Sequence, residues 1–322
     1  MALPKALEGN LRIPLIGAPM FIVTGPELVI AQCKAGIVGS FPALNARPQS
    51  ALGDWLKQIR EELTAYKEAN PDEPVAPYAV NQIAHSTNPR LYDDVETCVE
   101  HEVPIIITSL RPPEDIVKAV HGYGGLVFHD VINLKHARKA IEQGVDGIIA
   151  VCNGAGGHAG MLNPFALVKE IRREFAGAVI LSGCITNGND VVAAQALGAD
   201  LAYSGTRFIA TDEGRAVDTY KEMVVESRAE DIVYSAVFSG VHGSYLRGSI
   251  VNAGLDPDHL QEAETAHMDF SKAKDEMGVK AWKDIWGAGQ GVGSIHDILP
   301  ARDVVLRMAQ EYRETLARLS AA

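Results

Sequence analysis

The stretch Ala140-Ile-Glu-Gln-Gly-Val-Asp-Gly-Ile-Ile149 returns further along the chain as Ala194-Gln-Ala-Leu-Gly-Ala-Asp-Leu-Ala-Tyr203. Each copy reads as the tail of a helix, a glycine, and an apolar strand that starts within about two residues. Glycine suits the junction because it enters the left-handed conformation of a helix C-cap without a Cβ penalty. Lys34-Ala-Gly-Ile-Val38 is a third, shorter copy. A chain that repeats helix, glycine and strand is assembled from βα units.

Working outward, short apolar runs recur at Ile13–Gly17, Gly36–Gly39, Val75–Val80, Pro104–Thr108, Gly125–Phe128, Gly147–Val151, Ala178–Leu181 and Leu201–Tyr203. Most are continuously apolar, as parallel strands buried on both faces are. Helical patterns separate them at Pro26–Lys34, Asp54–Ala69, Tyr92–Glu100, Pro113–His121, Leu134–Gln143, Pro164–Glu174 and Asn189–Leu197. Eight strands alternating with helices predict an α/β fold, either a closed (β/α)8 barrel or a doubly wound sheet. The rhythm breaks after Phe208. From there the chain is more charged and looks helical, with interruptions such as Ser239–Gly243. The expected organisation is a barrel of residues 1–212 and 284–322, closed by an amphipathic helix Pro300–Leu319. Residues 213–283 are an inserted, mostly helical second domain that caps the strand C-terminal ends, with Tyr234, Phe238, His242 and Tyr245 as candidate pocket walls.

The 322 residues are 47 % hydrophobic and 22 % charged, ordinary for a globular protein with a large core. A net charge of −12 argues against nucleic acid as a partner. No stretch approaches 18 uninterrupted apolar residues, so no membrane span is expected. Cys33, Cys98, Cys152 and Cys184 show neither zinc-ligand nor C-x-x-C spacing, and the ten histidines contain no H-E-x-x-H. No metal site is expected. The N-terminus lacks the apolar run of a signal peptide, and a cytoplasmic protein with free thiols is the expectation.

In barrel enzymes the active site lies at the strand C-terminal ends, often with a phosphate site after strands seven and eight. Those loops read Leu181-Ser182-Gly183-Cys184-Ile185 and Ser204-Gly205-Thr206-Arg207-Phe208. Each sets glycine beside a small hydroxyl, which lets backbone N–H groups approach an anion. Tight turns alone would also use such glycines. After strand six comes Cys152-Asn-Gly-Ala-Gly156-Gly157-His158-Ala-Gly160, a single histidine in a glycine-rich loop on the ligand side. The loop also fits the G-x-G-x-x-A pattern of a dinucleotide fold, but the next strand ends in Leu181-Ser182 without the acid that pattern requires. Gly287-Ala-Gly289-Gln290-Gly291 is a further glycine-rich turn, suited to fold over a cofactor phosphate with Gln290 as donor. Asn81, Ser109 and His129-Asp130 are polar strand ends, a position that core strands also use simply to meet water.

Taken together these stretches resemble the nitronate monooxygenase family, formerly 2-nitropropane dioxygenases. The resemblance is carried by Gly17-Ala-Pro-Met20, His129 with His136-Ala137, Gly144-Val-Asp146, Ala155-Gly-Gly-His158-Ala-Gly160, Ser182-Gly183, Ala196-Leu-Gly-Ala-Asp200, Gly205-Thr-Arg-Phe208 and Gly289-Gln290. They run in family order over nearly the whole chain. The resemblance implies a barrel holding noncovalent FMN. Ala18, Pro19 and Met20 would line the flavin ring, Asn81 and Asp130 would stand at its polar edge, and Gly156 and Gly157 would pass beside it. Ser182, Gly183, Cys184, Gly205, Thr206 and Gln290 would hold the phosphate, and His158 would be the catalytic residue. It further implies oxidation of alkyl nitronates, and of nitroalkanes, by O2 to a carbonyl compound and nitrite. Two positions depart from the pattern: Cys184 where many relatives have glycine, and Asp130 where many have lysine. The alternatives are an NAD(P)H-dependent FMN reductase acting on quinones or enoyl thioesters, and a flavin-binding protein without turnover. The expected partners are a small-molecule substrate and O2, with a homodimer left open.

Overall fold

The computed structural model describes residues 3–111, 114–260 and 283–321. Eight parallel strands form one sheet: β1 (Leu15–Gly17), β2 (Gly39–Pro42), β3 (Tyr78–Ala84), β4 (Ile105–Leu110), β5 (Leu126–Val131), β6 (Gly147–Val151), β8 (Ala178–Ser182) and β9 (Leu201–Ser204). A two-residue strand, β7 (Gly157–His158), lies in the loop after β6 and outside this sheet. The sheet order is β1-β9-β8-β6-β5-β4-β3-β2. A parallel bridge between Ile16 and Val38 brings its two ends together, so the sheet closes into a (β/α)8 barrel. Between the strands run α1 (Pro26–Ala35), α2 (Ala51–Ala69), α3 (Leu91–Glu100), α4 (Glu114–His121), α5 (Leu134–Glu142), α6 (Pro164–Glu174) and α7 (Gly188–Leu197). The last helix, α11 (Ala301–Ser320), packs against α1 and α7.

The strands are apolar on both faces because each face has its own core. Ile105, Ile107, Phe128, Ile149, Ile180 and Leu201 pack together inside the barrel, with Leu7 from the N-terminal segment. Their neighbours Ile106, Val127, Ile148, Val179 and Leu181 face the helices. This is the period-two alternation of a strand buried twice. The repeat seen in the sequence has a structural cause. Gly36, Gly144 and Gly198 follow helices at φ +90°, +81° and +105°. The aspartate two residues after Gly144 and Gly198 then reaches back to the preceding strand. Asp146 Oδ2 accepts the Val127 N–H (2.8 Å), and Asp200 Oδ2 accepts the Val179 N–H (2.9 Å).

One strand lies later than expected. The apolar pattern predicts strand two at Gly36–Gly39, whereas β2 is Gly39–Pro42. Val38 is used instead to close the barrel on β1. After β9 a single turn, α8 (Thr206–Ile209), leads into the insertion. Its described residues contain α9 (Asp218–Glu226), α10 (Arg247–Asn252) and an antiparallel hairpin, β10 (Ile232–Ser235) with β11 (Gly243–Leu246). The hairpin has no counterpart among the strands expected from sequence. Residues 261–282 of the expected cap, and Pro113 at the expected start of α4, lie outside the described residues. β11 pairs with β7, Gly243 opposite His158 and Ser244 opposite Gly157. The insertion is therefore attached to the loop at the C-terminal end of β6.

Candidate active site

One half of the site is made of backbone. β8 and β9 are neighbours, and each runs into a glycine. Gly183 has φ +135°, and a Cβ there would lie 2.9 Å from the Asn153 carbonyl oxygen. A Cβ on Gly205 would sit 3.4 Å from Ala18 Cβ and 3.7 Å from Met20 Sδ. The turn after β9 thus lies against Ala18-Pro19-Met20, which is pinned by the Ala18 N–H on the Ser204 carbonyl (2.8 Å) and the Met20 N–H on Thr24 Oγ1 (3.0 Å). The loop after β6 and the turn 287–291 close the other side. Gln290 N–H donates to the Gly154 carbonyl (2.9 Å), and Gly289 N–H donates to Thr206 Oγ1 (2.9 Å). A Cβ on Gly289 would fall 2.5 Å from the Gly154 carbonyl oxygen, and one on Gly156 2.8 Å from the Gly289 nitrogen. Backbone crosses backbone at this point, which accounts for both glycines.

Among the described residues, the N–H groups of Gly183, Cys184 and Gly205 donate to no acceptor. Thr206 accepts from Gly289 and keeps its own hydroxyl hydrogen for another acceptor. With Ser182 at the end of β8, these donors occupy two adjacent turns, and they fit a phosphate group. Cys184 sits among them at φ +55°, its Sγ directed at the Gly154 carbonyl (3.7 Å).

The other half is made of side chains. Asn81 on β3 donates through Nδ2 to the Ile107 carbonyl (3.2 Å) and to Ser109 Oγ (2.8 Å). Ser109 on β4 in turn donates to Asp130 Oδ2 on β5 (2.6 Å). Burial pushes the Asp130 carboxyl up to about 6, against the lowering by Ser109 and the Leu110 N–H. Beside it, His129 Nδ1 is 2.8 Å from Thr108 Oγ1, and burial lowers this imidazole to about 4. His158 follows on β7. Burial lowers it also to about 4, so it is neutral at physiological pH. Its Nε2 lies 2.8 Å from Ser239 Oγ in the insertion. Tyr234 OH donates to the Ala159 carbonyl (2.8 Å), and the Tyr234 ring stacks on that of His242 in the hairpin loop, their centroids 5.1 Å apart.

The structure therefore gathers Ala18, Met20, Gly156, Ser182, Gly183, Cys184, Gly205, Thr206 and Gln290 around one pair of turns. It gathers Asn81 and Asp130 around another group of strand ends, with Ser109 between them. Ser239 is the residue that sequence reasoning does not single out. Its only signal is its place in the Ser239–Gly243 interruption.

Backbone donors in the turns after β8 and β9, with polar side chains on β3, β4, β5 and β7, collect at the strand C-terminal ends, where barrel enzymes carry their sites, and flavin-dependent oxidoreductases are the class in which the chain falls. It belongs to the nitronate monooxygenase family, whose model matches residues 9–311. It is 27 % identical to a nitronate monooxygenase of Paraburkholderia phytofirmans, covering 95 % of this chain and 94 % of that one. It is 28 % identical to a nitronate monooxygenase of Neurospora crassa over 95 % of this chain and 91 % of the relative. Among solved structures, FabK from Thermotoga maritima superposes with a TM-score of 0.76 at 25 % identity, covering 98 % and 97 % of the two chains. The nitroalkane oxidase of Streptomyces ansochromogenes has the same fold, with a TM-score of 0.78 at 22 % identity and coverage of 98 % and 100 %.

Proposed function

We propose that the protein is an FMN-dependent enzyme that oxidises alkyl nitronates, and neutral nitroalkanes after loss of their α-proton, using O2 and yielding a carbonyl compound and nitrite. The observation that carries this reading is His158, a neutral imidazole held on β7 at the same end of the barrel as the backbone turns after β8 and β9. FMN, when bound, supplies the electron chemistry between the nitronate and O2. The chain does the rest. Gly183, Cys184 and Gly205 N–H groups and the Ser182 and Thr206 hydroxyls would hold the phosphate, with Gln290 closing over it. Ala18, Pro19 and Met20 would line the ring, with Gly156 and Gly157 near it. Asn81 and Asp130 would meet its polar edge, as acceptors rather than donors.

His158 acts on the substrate. A neutral imidazole can take the α-proton of a nitroalkane, and the same ring can face the nitro oxygens of a nitronate that has already lost it. The four free cysteines suit a reducing cytoplasm. Among the described residues no helix is long and apolar enough to cross a membrane.

Anaerobic reduction tests the reading. Propane-2-nitronate should bleach the yellow holoprotein, whereas NADH and NADPH should leave it yellow. Rapid bleaching by a nicotinamide cofactor with none by the nitronate would replace this function by a hydride-transfer one.

A further inference from the structure

We propose that Tyr203 is a cofactor-contact residue: its hydroxyl donates to a carbonyl oxygen on the pyrimidine edge of the bound flavin and favours the reduced ring, against the neighbouring Asp130 carboxylate. The proposal rests on FMN being the cofactor of the reaction above.

The barrel interior changes character along its strands. Ala79, Ile107, Phe128 and Leu201 belong to one apolar cluster. Two residues further on, on the same strand face, stand Asn81, Ser109, Asp130 and Tyr203. Tyr203 packs with that cluster, and Ala18 lies against it. A polar layer therefore tops an apolar one at the strand C-terminal ends.

Hydrogen bonds use some atoms of this layer and leave others. The two hydrogens of Asn81 Nδ2 go to the Ile107 carbonyl and to Ser109 Oγ. A carbonyl only accepts, so the amide orientation is fixed and Asn81 Oδ1 is left as an acceptor. The Ser109 hydrogen goes to Asp130 Oδ2. Among the described residues the Tyr203 hydroxyl and Asn81 Oδ1 make no hydrogen bond, yet neither belongs to the fully buried side-chain atoms that lack one. Both are therefore open to solvent. Beneath Tyr203 the interior is filled by Phe128, Ile149, Ile180 and Leu201, all fully buried, so the hydroxyl opens toward the barrel mouth.

The mouth thus offers acceptors at Asn81 and Asp130 and a donor at Tyr203. Burial, and then Asp130, push the Tyr203 hydroxyl well above its ordinary value, so it keeps its proton. The pyrimidine edge of a flavin has an N–H between two carbonyl oxygens, and it matches that set: the N–H suits an acceptor, and a carbonyl oxygen suits the hydroxyl. Reduction makes this edge more electron-rich. A hydrogen bond donated to it is then strengthened, and a carboxylate beside it is repelled. Asp130, raised only to about 6, is ionised at about pH 8. Tyr203 and Asp130 therefore push the cofactor in opposite directions.

The test is the midpoint potential of the holoprotein at about pH 8, from dithionite titration against a reference dye followed in the visible spectrum. Tyr203→Phe keeps the ring in the interior and removes only the hydroxyl. It should lower the affinity for reduced FMN relative to oxidised FMN about ten-fold, which is a fall of about 30 mV for a two-electron couple. Asp130→Asn should raise that ratio by about as much. A purely structural loss would weaken both forms alike and leave the ratio unchanged. With FMN labelled by 13C at its two pyrimidine carbonyls, one carbonyl signal should move upfield in Tyr203→Phe. An unchanged potential in Tyr203→Phe overturns the proposal, as do unmoved carbonyl signals, and so does a shift of the same sign in both variants. If the Tyr203→Phe shifts appear while the parent turns over neither a nitronate nor a nitroalkane, the contact stands and the assigned reaction fails. A parent protein that binds no FMN sinks both.

Discussion

The turns at Gly154, Gly183, Gly205 and Gly289 are built from closely approaching backbone, whereas the strand ends at Asn81, Ser109, Asp130 and His158 carry polar side chains. The first region recognises by absence of bulk. A phosphate there would meet N–H groups that any sequence could supply, provided that no Cβ intrudes. The second recognises by identity, because Asn81, Ser109 and Asp130 form a directed chain of donors and acceptors. Damage should therefore separate cleanly: substitutions in the turns should lose cofactor, and substitutions at the strand ends should lose chemistry or change pH dependence.

The largest expected effect is at His158. His158→Asn should retain FMN, since the phosphate cradle lies elsewhere, while turnover of neutral nitroalkanes falls by about 10²–10⁴, the usual worth of a general base. Turnover of preformed nitronates should fall less. Steady-state kinetics on the two substrates, with the flavin content measured alongside, checks this. Equal large losses on both would move His158 from proton transfer to binding of the nitro oxygens.

Within the turns two glycines allow a finer division. Gly289→Ala puts a Cβ 2.5 Å from the Gly154 carbonyl oxygen, so the apoprotein itself should melt at a lower temperature. A Cβ on Gly205 meets the protein at ordinary contact distances. Gly205→Val should leave apoprotein melting close to the parent's, yet weaken FMN about ten- to hundred-fold, as overpacking by 1–3 kcal/mol would. FMN titration by fluorescence quenching, beside apoprotein melting curves, separates the two. A Gly205→Val protein with parental FMN affinity would show that the space beside this turn is not used by the phosphate.

The same contrast explains what can be read from the sequence. Turns that need glycine leave glycine in the sequence, and their spacing after apolar strands marks the cradle. Helix ends are equally visible, since Gly144 and Gly198 both adopt positive φ. Side-chain chains that join distant segments leave no local pattern. Ser239 is 81 residues from His158, and nothing in the sequence ties the two. The hairpin that carries Ser239 is hidden because its strands are four residues each and lack a short Asn-Gly or Asp-Gly turn between them. Strand two is misjudged because Ile37-Val38 looks more strand-like than Gly39-Ser-Phe-Pro42, although the latter forms the ladder with β3.

Asp130 gives an intermediate effect, visible in pH. Its folded-state value is raised to about 6 by burial, from an ordinary value of 3.8. A carboxyl raised in the folded state binds its proton more tightly there, so its contribution is fully present below pH 3.8 and is lost as pH rises toward and through 6. Asp130→Asn carries no such loss. The variant should gain on the parent as pH rises from about 4 to 8, by on the order of 1–2 kcal/mol. The neutral buried histidines His129 and His158 are common to both proteins and cancel in the difference. Denaturant midpoints at about pH 4, 6 and 8 measure it, and a gain independent of pH would show that ionisation of Asp130 is not its source.

The smallest effect is expected at Cys184, which directly follows Gly183 in the turn after β8. At φ +55° an L-residue is strained by roughly 1–2 kcal/mol, and glycine would remove that strain. Glycine also gives the unfolded chain more freedom to lose, about 0.5–1 kcal/mol, and forfeits the weak contact of Sγ with the Gly154 carbonyl. The opposing changes leave Cys184→Gly more stable by only about 0.5 kcal/mol. The proposed cradle would use only the backbone N–H at this position, so FMN affinity should stay within about two-fold of the parent's, which is less than about 0.5 kcal/mol. A marked loss of FMN in Cys184→Gly, with the fold intact, would show that the thiol itself takes part in the cradle, and the division between a backbone half and a side-chain half would have to be redrawn at this residue.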